Sequence, residues 1–216
     1  RNDPSDQRSL SDGRLFSIYQ DRSGLMWVGT ADHGVDRFKP EGGAFEHVVQ
    51  NSADPRGLID NTINGMLADR SGAVWIGTSK GLERFDRTSG TFQHYQHQAS
   101  NPRSIGDNAA QCLVEDRAGD IWIGFFGSGL DRFDRKSGTF VHYRHDPTNS
   151  KSLSDDRVYA VLEDNAGTLW VGTYVGGLNK FDRRTGTFTT YVHNDSLLAS
   201  FGGRGAWALC EDREGN

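Results

Sequence analysis

Only two of the 216 residues are cysteine, Cys112 and Cys210. Two thiols cannot supply the disulfide framework that small secreted scaffolds depend on, so the fold must rest on a packed core. Both sit in apolar, strand-like runs, Gln111-Cys-Leu-Val114 and Ala208-Leu-Cys-Glu211, and read as buried free thiols that leave the redox compartment open. An excess of positive charge is also missing. The formal net charge is −5, which lacks the electrostatic footprint of a nucleic-acid-binding chain. No apolar run reaches the roughly 18–20 residues that a membrane-spanning helix needs. The sequence shows no signal peptide. Arg1 need not be a natural start, so anchoring or export segments have room outside this range.

Glycine and aromatic residues are abundant. There are 27 glycines, 12 phenylalanines, 6 tyrosines and 5 tryptophans, although hydrophobic residues make up only 35% of the chain. This composition suits short strands and tight turns rather than a helical bundle. Trp27, Trp75, Trp122 and Trp170 recur at intervals of 48, 47 and 48 residues. Each follows a turn, Asp21-Arg-Ser-Gly24, Asp69-Arg-Ser-Gly72, Asp116-Arg-Ala-Gly119 or Asp164-Asn-Ala-Gly167, and each precedes Val-Gly or Ile-Gly. Then come Gly34-Val-Asp-Arg-Phe38, Gly81-Leu-Glu-Arg-Phe85, Gly129-Leu-Asp-Arg-Phe133 and Gly177-Leu-Asn-Lys-Phe181. A period in this range with many matched positions is the signature of a repeat architecture.

Every copy predicts four strands; in the fourth they are Val158–Glu163, Leu169–Thr173, Leu178–Phe181 and Phe188–Val192. The turn aspartate can accept hydrogen bonds from amides two or three residues on, and the glycine tolerates positive φ. Four antiparallel strands per repeat of this length predict an all-β fold, a β-propeller of four-stranded blades. The units fall at about residues 14–60, 61–108, 109–156 and 157–205, and 206–216 opens a fifth with its first strand, Ala206–Glu211. The connections Arg1–Gly13, Gln50–Asn61, His97–Asn108, His145–Asp156 and His193–Arg204 align as ordered surface loops. On this reading Asn216 is not the natural end. The chain is a partial propeller that needs the rest of its polypeptide, or another copy as in a homodimer, to cover its open blades.

The pattern Asp-x-x-Gly-x-x-Trp-[Ile/Val]-Gly-Thr-x-x-Gly-Gly-Leu-x-x-Phe-Asp resembles the two-component regulator propeller repeat. Phe125 replaces the usual Thr in the third copy and Lys80 the first Gly in the second. The connectors Asn101-Pro-Arg-Ser-Ile105 and Lys151-Ser-Leu-Ser-Asp155 are similar to that family's inter-blade segment. The resemblance implies the extracytoplasmic, periplasmic sensor region of a membrane-anchored signalling protein. Its output would be a histidine kinase or a diguanylate cyclase, and its ligand a carbohydrate.

Chemistry is sparse. His47, His94 and His142 share one repeat position, as do His97, His145 and His193, so they fall on separate blades and cannot converge on one metal. They read as edge-strand residues beside Tyr95 and Tyr143. No catalytic residue, metal site or cofactor is expected. A propeller glycosidase would need a non-repeating carboxylate pair. A streptogramin-type lyase, whose repeat is similar, would need a histidine and carboxylate cluster at the funnel. A protein-interaction scaffold is the third alternative. One rim repeats the Asp-x-x-Gly turn throughout, whereas the other, made of the second-to-third-strand turns and the connectors, varies between copies. Variable loops on a fixed scaffold are where binding resides. The expected ligand-binding residues, for a small molecule or oligosaccharide, are therefore His33, Lys80, Phe125, Phe126, Tyr174, Arg157 and Arg204.

Overall fold

The computed structural model describes residues 2–3, 5–42, 44–51, 54, 57–193 and 203–215. They form β1 (Leu15–Gln20), β2 (Met26–Thr30), β3 (Val35–Phe38), β4 (Glu46–Val48), β5 (Ile63–Ala68), β6 (Val74–Thr78), β7 (Leu82–Asp86) and β8 (Thr91–Tyr95). There follow β9 (Ala110–Glu115), β10 (Ile121–Phe125), β11 (Leu130–Asp134), β12 (Thr139–Tyr143), β13 (Val158–Glu163), β14 (Leu169–Thr173), β15 (Leu178–Asp182) and β16 (Thr187–Tyr191). Each consecutive set of four makes one antiparallel sheet in chain order, the blade of a propeller. No helix of the described residues is long and apolar enough to cross a membrane.

The turn aspartate organises each blade. Asp21 Oδ1 accepts the N–H groups of Ser23 at 2.8 Å and Leu25 at 3.1 Å, which shapes the β1–β2 turn, and Gly24 completes it at φ +83°. Asp21 Oδ2 accepts the indole N–H of Trp27 at 2.8 Å. Asp69–Trp75, Asp116–Trp122 and Asp164–Trp170 repeat that bond at 2.8 Å each. Trp27, Trp75 and Trp122 are buried, so their indole N–H groups need a partner, and the aspartate needs donors equally.

The chain forms two compact units, Arg1–Ala110 and Gln111–Asn216. Within the first, β5 packs on the first blade and wholly buries Ile63 beneath Gly29, where a Cβ would stand 2.6 Å from Ile63 Cγ2. Trp27, Val35, Leu58, Ile63, Val74, Ile76 and Phe85 form that core. Arg87 joins the two blades by an ion pair to Asp21 at 3.0 Å. The second unit repeats the device. Val158 is buried against Gly124, and Arg183 bridges to Asp116 at 2.7 Å and to Glu163 at 2.6 Å. The absent Cβ on Gly124 is thus a seat for the next blade's inner strand.

Two expectations need correction. Cys210 is exposed, because it lies on an extended segment that no further strand covers among the described residues. Cys112 does sit against Gly124, and burial pushes its thiol up to about 12. Residues 206–211 also form no strand. Ala206 donates its N–H to Thr173 O at 2.9 Å and is buried on the fourth blade, but an inner strand ladders with the second strand of its own blade, and the described residues contain none.

Replacing Asp116 by Ala should destabilise the protein by about 2–3 kcal/mol in urea unfolding, since it strands a buried indole N–H and removes the Arg183 ion pair. Burial works to raise the Asp116 carboxyl, but the Trp122 and Arg183 bonds outweigh it and hold it below the ordinary range. Its folded value is depressed, so its contribution is present above the unfolded value, about 3.9, and is lost as pH falls through the folded one. Wild-type stability should fall steeply there, and that of Asp116→Ala less so.

Candidate functional site

In the first and fourth blades the turn between the second and third strands is hydrogen-bonded to connectors on both sides. Ala31 N–H donates to Arg14 O and Gly34 N–H to Asn61 O; Tyr174 N–H donates to Arg157 O and Gly177 N–H to Arg204 O. Connector ends are pinned too, with Gln50, His97 and His145 donating backbone N–H to Asn61, Asn108 and Asp156 side chains at 2.6–2.7 Å. The rim that varies in sequence is therefore built on a regular frame.

In the first unit, His33 lies with Nδ1 3.3 Å from Asp12 Oδ2, and Lys80 Nζ stands 3.7 Å from Asp60 Oδ1. Each side chain is thereby held by the connector aspartate of its own blade. The other five candidates belong to the second unit. Phe125 is not a surface residue: its side chain is wholly buried. It ends β10 at the place where Thr30, Thr78 and Thr173 end theirs, and all three are buried. Those threonines cap the turn by donating to Gly34, Gly81 and Gly177 carbonyls. Phe125 fills the same inward position with apolar bulk and cannot meet a ligand. Arg204 is exposed, and its carbonyl anchors the turn at Gly177.

Phe126 and Tyr174 do come together, with two rings that sequence reasoning passed over. Tyr159, Tyr174 and Trp207 lie with centroids 5.6–5.9 Å apart and planes within 11–27° of one another. Three centroids at nearly equal spacing cannot form a column, so the rings tile a stepped floor. Phe126 stands across it, at 85° to Tyr159 and 74° to Tyr174. Phe126 and Trp207 are 51% and 63% exposed, so the corner between floor and wall opens to solvent. Arg157 lies 4.8 Å from the Tyr174 ring and is clamped by Asp155 through Nε at 3.0 Å and Nη2 at 3.1 Å. Burial favours the neutral Asp155 carboxyl, but the Arg157 bonds prevail and keep it below the usual range.

Tyr159 escaped notice because it sits in an apolar run that reads as buried strand. A bulge between Val158 and Ala160 takes it out of the β13–β14 ladder. The available signal was its register. Phe16, Asn64, Gln111, Tyr159 and Trp207 hold one repeat position and differ as freely as the rim turns do.

The histidines do more than line the edge strands. His47, His94 and His142 each direct Nδ1 onto a buried carboxylate of the neighbouring third strand, Asp36, Glu83 and Asp131, at 2.6–2.7 Å. His97 and His145 place Nδ1 2.9 and 2.8 Å from the Ile105 and Leu153 carbonyls. Among the described residues, no three His, Cys, Asp or Glu gather in a metal-binding group.

A family model described as two component regulator propeller matches residues 9–32, 57–80, 104–127 and 152–175. No curated protein matches the sequence. Among solved structures, the extracellular domain of a protein described as a hybrid two component system from B. thetaiotaomicron aligns with a TM-score of 0.76 at 23% identity, over 92% of this chain and 26% of that one. PorZ, a surface component of the type-IX secretion system of Porphyromonas gingivalis, aligns at 0.64 and 15% identity, over 92% and 30% of the two chains. Virginiamycin B lyase from Staphylococcus aureus aligns at 0.62 and 15%, over 84% and 57%. The chain thus spans about a quarter of the length of the first of these, and identities at this level establish the fold alone.

Truncation separates the surface corner from the core. Trp207→Ala should leave unfolding free energy within about 0.5 kcal/mol of wild type. Phe125→Ala should cost about 3–5 kcal/mol. Denaturant titration of both variants checks this.

Proposed function

Because the chain belongs to the two-component regulator propeller family, we propose that it is a non-catalytic, ligand-sensing part of a membrane-bound signalling protein, displayed outside the cytoplasm. The family assignment supports a sensor, and the likeness to an extracellular domain of a two-component system supports the location. The output region would be a histidine kinase or a diguanylate cyclase, and the rest of the propeller would cover the open blades. The ligand is a saccharide, and the observation that carries this reading is the aromatic corner of half-buried Tyr159 and Tyr174 with exposed Phe126 and Trp207. A floor of nearly parallel aromatic rings suits the C–H face of a pyranose ring, and the phenol and guanidinium groups beside it can meet its hydroxyls. Exposed aromatic patches of this kind mark binding surfaces rather than packing.

A lyase reading requires histidine and carboxylate to converge on one cavity. Here His47, His94 and His142 are each committed to a carboxylate of their own blade, on three different sheets.

Titration with a panel of oligosaccharides, followed by amide and indole NMR signals, should shift Trp207, Tyr174 and Phe126. Trp207→Ala should weaken binding at least about tenfold, the loss of roughly one stacked ring. Shifts confined to the Asp-x-x-Gly turns would overturn the assignment to this rim.

A further inference from the structure

In the first three blades the third strand buries a carboxylate and the fourth sets an imidazole directly opposite it in the ladder: Asp36 with His47, Glu83 with His94, Asp131 with His142. All three carboxylates are wholly buried. The fourth blade fills the same register with the uncharged pair Asn179 and Thr190, whose hydroxyl donates to Asn179 Oδ1 at 3.3 Å. In the first, second and fourth blades the connector leading into the blade reaches this pair. Ser11 N–H donates to Asp36 Oδ2 at 2.7 Å, Ile59 N–H to Glu83 Oε1 at 2.9 Å, and Ser154 N–H to Asn179 Oδ1 at 3.1 Å.

His47 makes a second contact that fixes its proton count. Its Nε2 lies 2.7 Å from the carbonyl oxygen of Gln7, and its Nδ1 lies 2.6 Å from Asp36 Oδ1. A carbonyl carries no hydrogen, so Nε2 must carry one. The short contact to Asp36 needs another, on Nδ1 or on the carboxyl. The pair therefore holds one proton more than a carboxylate and a neutral imidazole would. Without it, either a buried carboxylate faces an imidazole lone pair or Nε2 faces the Gln7 carbonyl unbonded, and both are costly.

We propose that this shared proton is a latch that holds the first connector to the first blade, and that the connector is released as pH rises. The surrounding charges favour the latched form. Asp3 and Asp6 of the connector line the cavity beside His47, with Arg8 bonded to Asp6 at 3.2 Å. Arg37 and Glu46, next in line on β3 and β4, neutralise each other at 2.7 Å, and Val28 opposes Asp36 on β2. Burial would lower the His47 value, but its bonds to Asp36 and Gln7 outweigh burial and raise it. A raised folded value means the latch is complete below the ordinary histidine value, about 6.5, and is lost as pH climbs through the folded one. The same connector carries Asp12, which holds His33 on the variable rim, so release would disturb that side of the rim.

The test is amide hydrogen exchange of the full chain, stepped from about pH 6 to about pH 9 and corrected for intrinsic rates. Ser11 protection should fall about tenfold per pH unit above the folded His47 value, the slope of one linked proton. Ser154, bonded to neutral Asn179, should stay flat and serves as the internal control. The double variant Asp36→Asn with His47→Thr, which copies the fourth blade, should keep Ser11 protected and remove the pH dependence. Should that variant not fold, the wild-type comparison of Ser11 with Ser154 decides alone. Ser11 protection that is independent of pH, or that falls in parallel with Ser154, would overturn the latch.

Discussion

Each blade depends on one carboxylate that serves two masters. Oδ1 of the turn aspartate gathers backbone amides and so shapes the hairpin; Oδ2 takes the indole N–H of a tryptophan in the core. Local turn chemistry and tertiary packing are thereby fixed by the same side chain. In Asp21 and Asp116 a third demand is added, an arginine from the following blade of the same unit. A hydrogen bond to a charged group contributes roughly 1.5–3 kcal/mol, and leaving a buried partner unsatisfied costs as much or more. Four copies of such a bond make a large share of the modest net stability that a domain has.

That arrangement also explains where function can reside. The end of each blade that carries the Asp-x-x-Gly turns is committed to structure in every copy. The opposite end is framed by backbone hydrogen bonds between turns and connectors, which constrain the chain but not its side chains. Phe126, Tyr159, Tyr174 and Trp207 collect on that frame in the second unit. The first unit instead places side chains tied to carboxylates there, His33 with Asp12 and Lys80 with Asp60. Repetition supplies the scaffold, and departures from repetition supply the chemistry.

The strands were legible because each needs only local cues. In the fourth blade, Val158–Glu163 and Leu169–Thr173 are observed with the bounds that the sequence predicts, and the outer two strands differ by a residue at their ends. The turn aspartates were legible as acceptors of backbone amides, but their bond to the tryptophan six residues on was not, since it depends on a side-chain approach across the hairpin. Phe125 misled because a residue that departs from the repeat looks free, whereas its position faces inward whatever occupies it. Tyr159 was hidden for the opposite reason, an apolar residue in an apolar strand that a bulge turns out of the ladder. The carboxylate–imidazole pairs needed the register of β3 with β4 and of its equivalents, which no local pattern specifies.

Indole hydrogen exchange of the five tryptophans tests the central role of the aspartate most directly. The N–H groups of Trp27, Trp75, Trp122 and Trp170, each bonded to a carboxylate at 2.8 Å, should exchange slowly and show shifted resonances typical of strong acceptors. Trp207, exposed and 3.3 Å from a carbonyl, should exchange quickly. Four slow indoles and one fast one are expected; uniform rapid exchange, or a slow Trp207 beside a fast Trp75, would contradict the account.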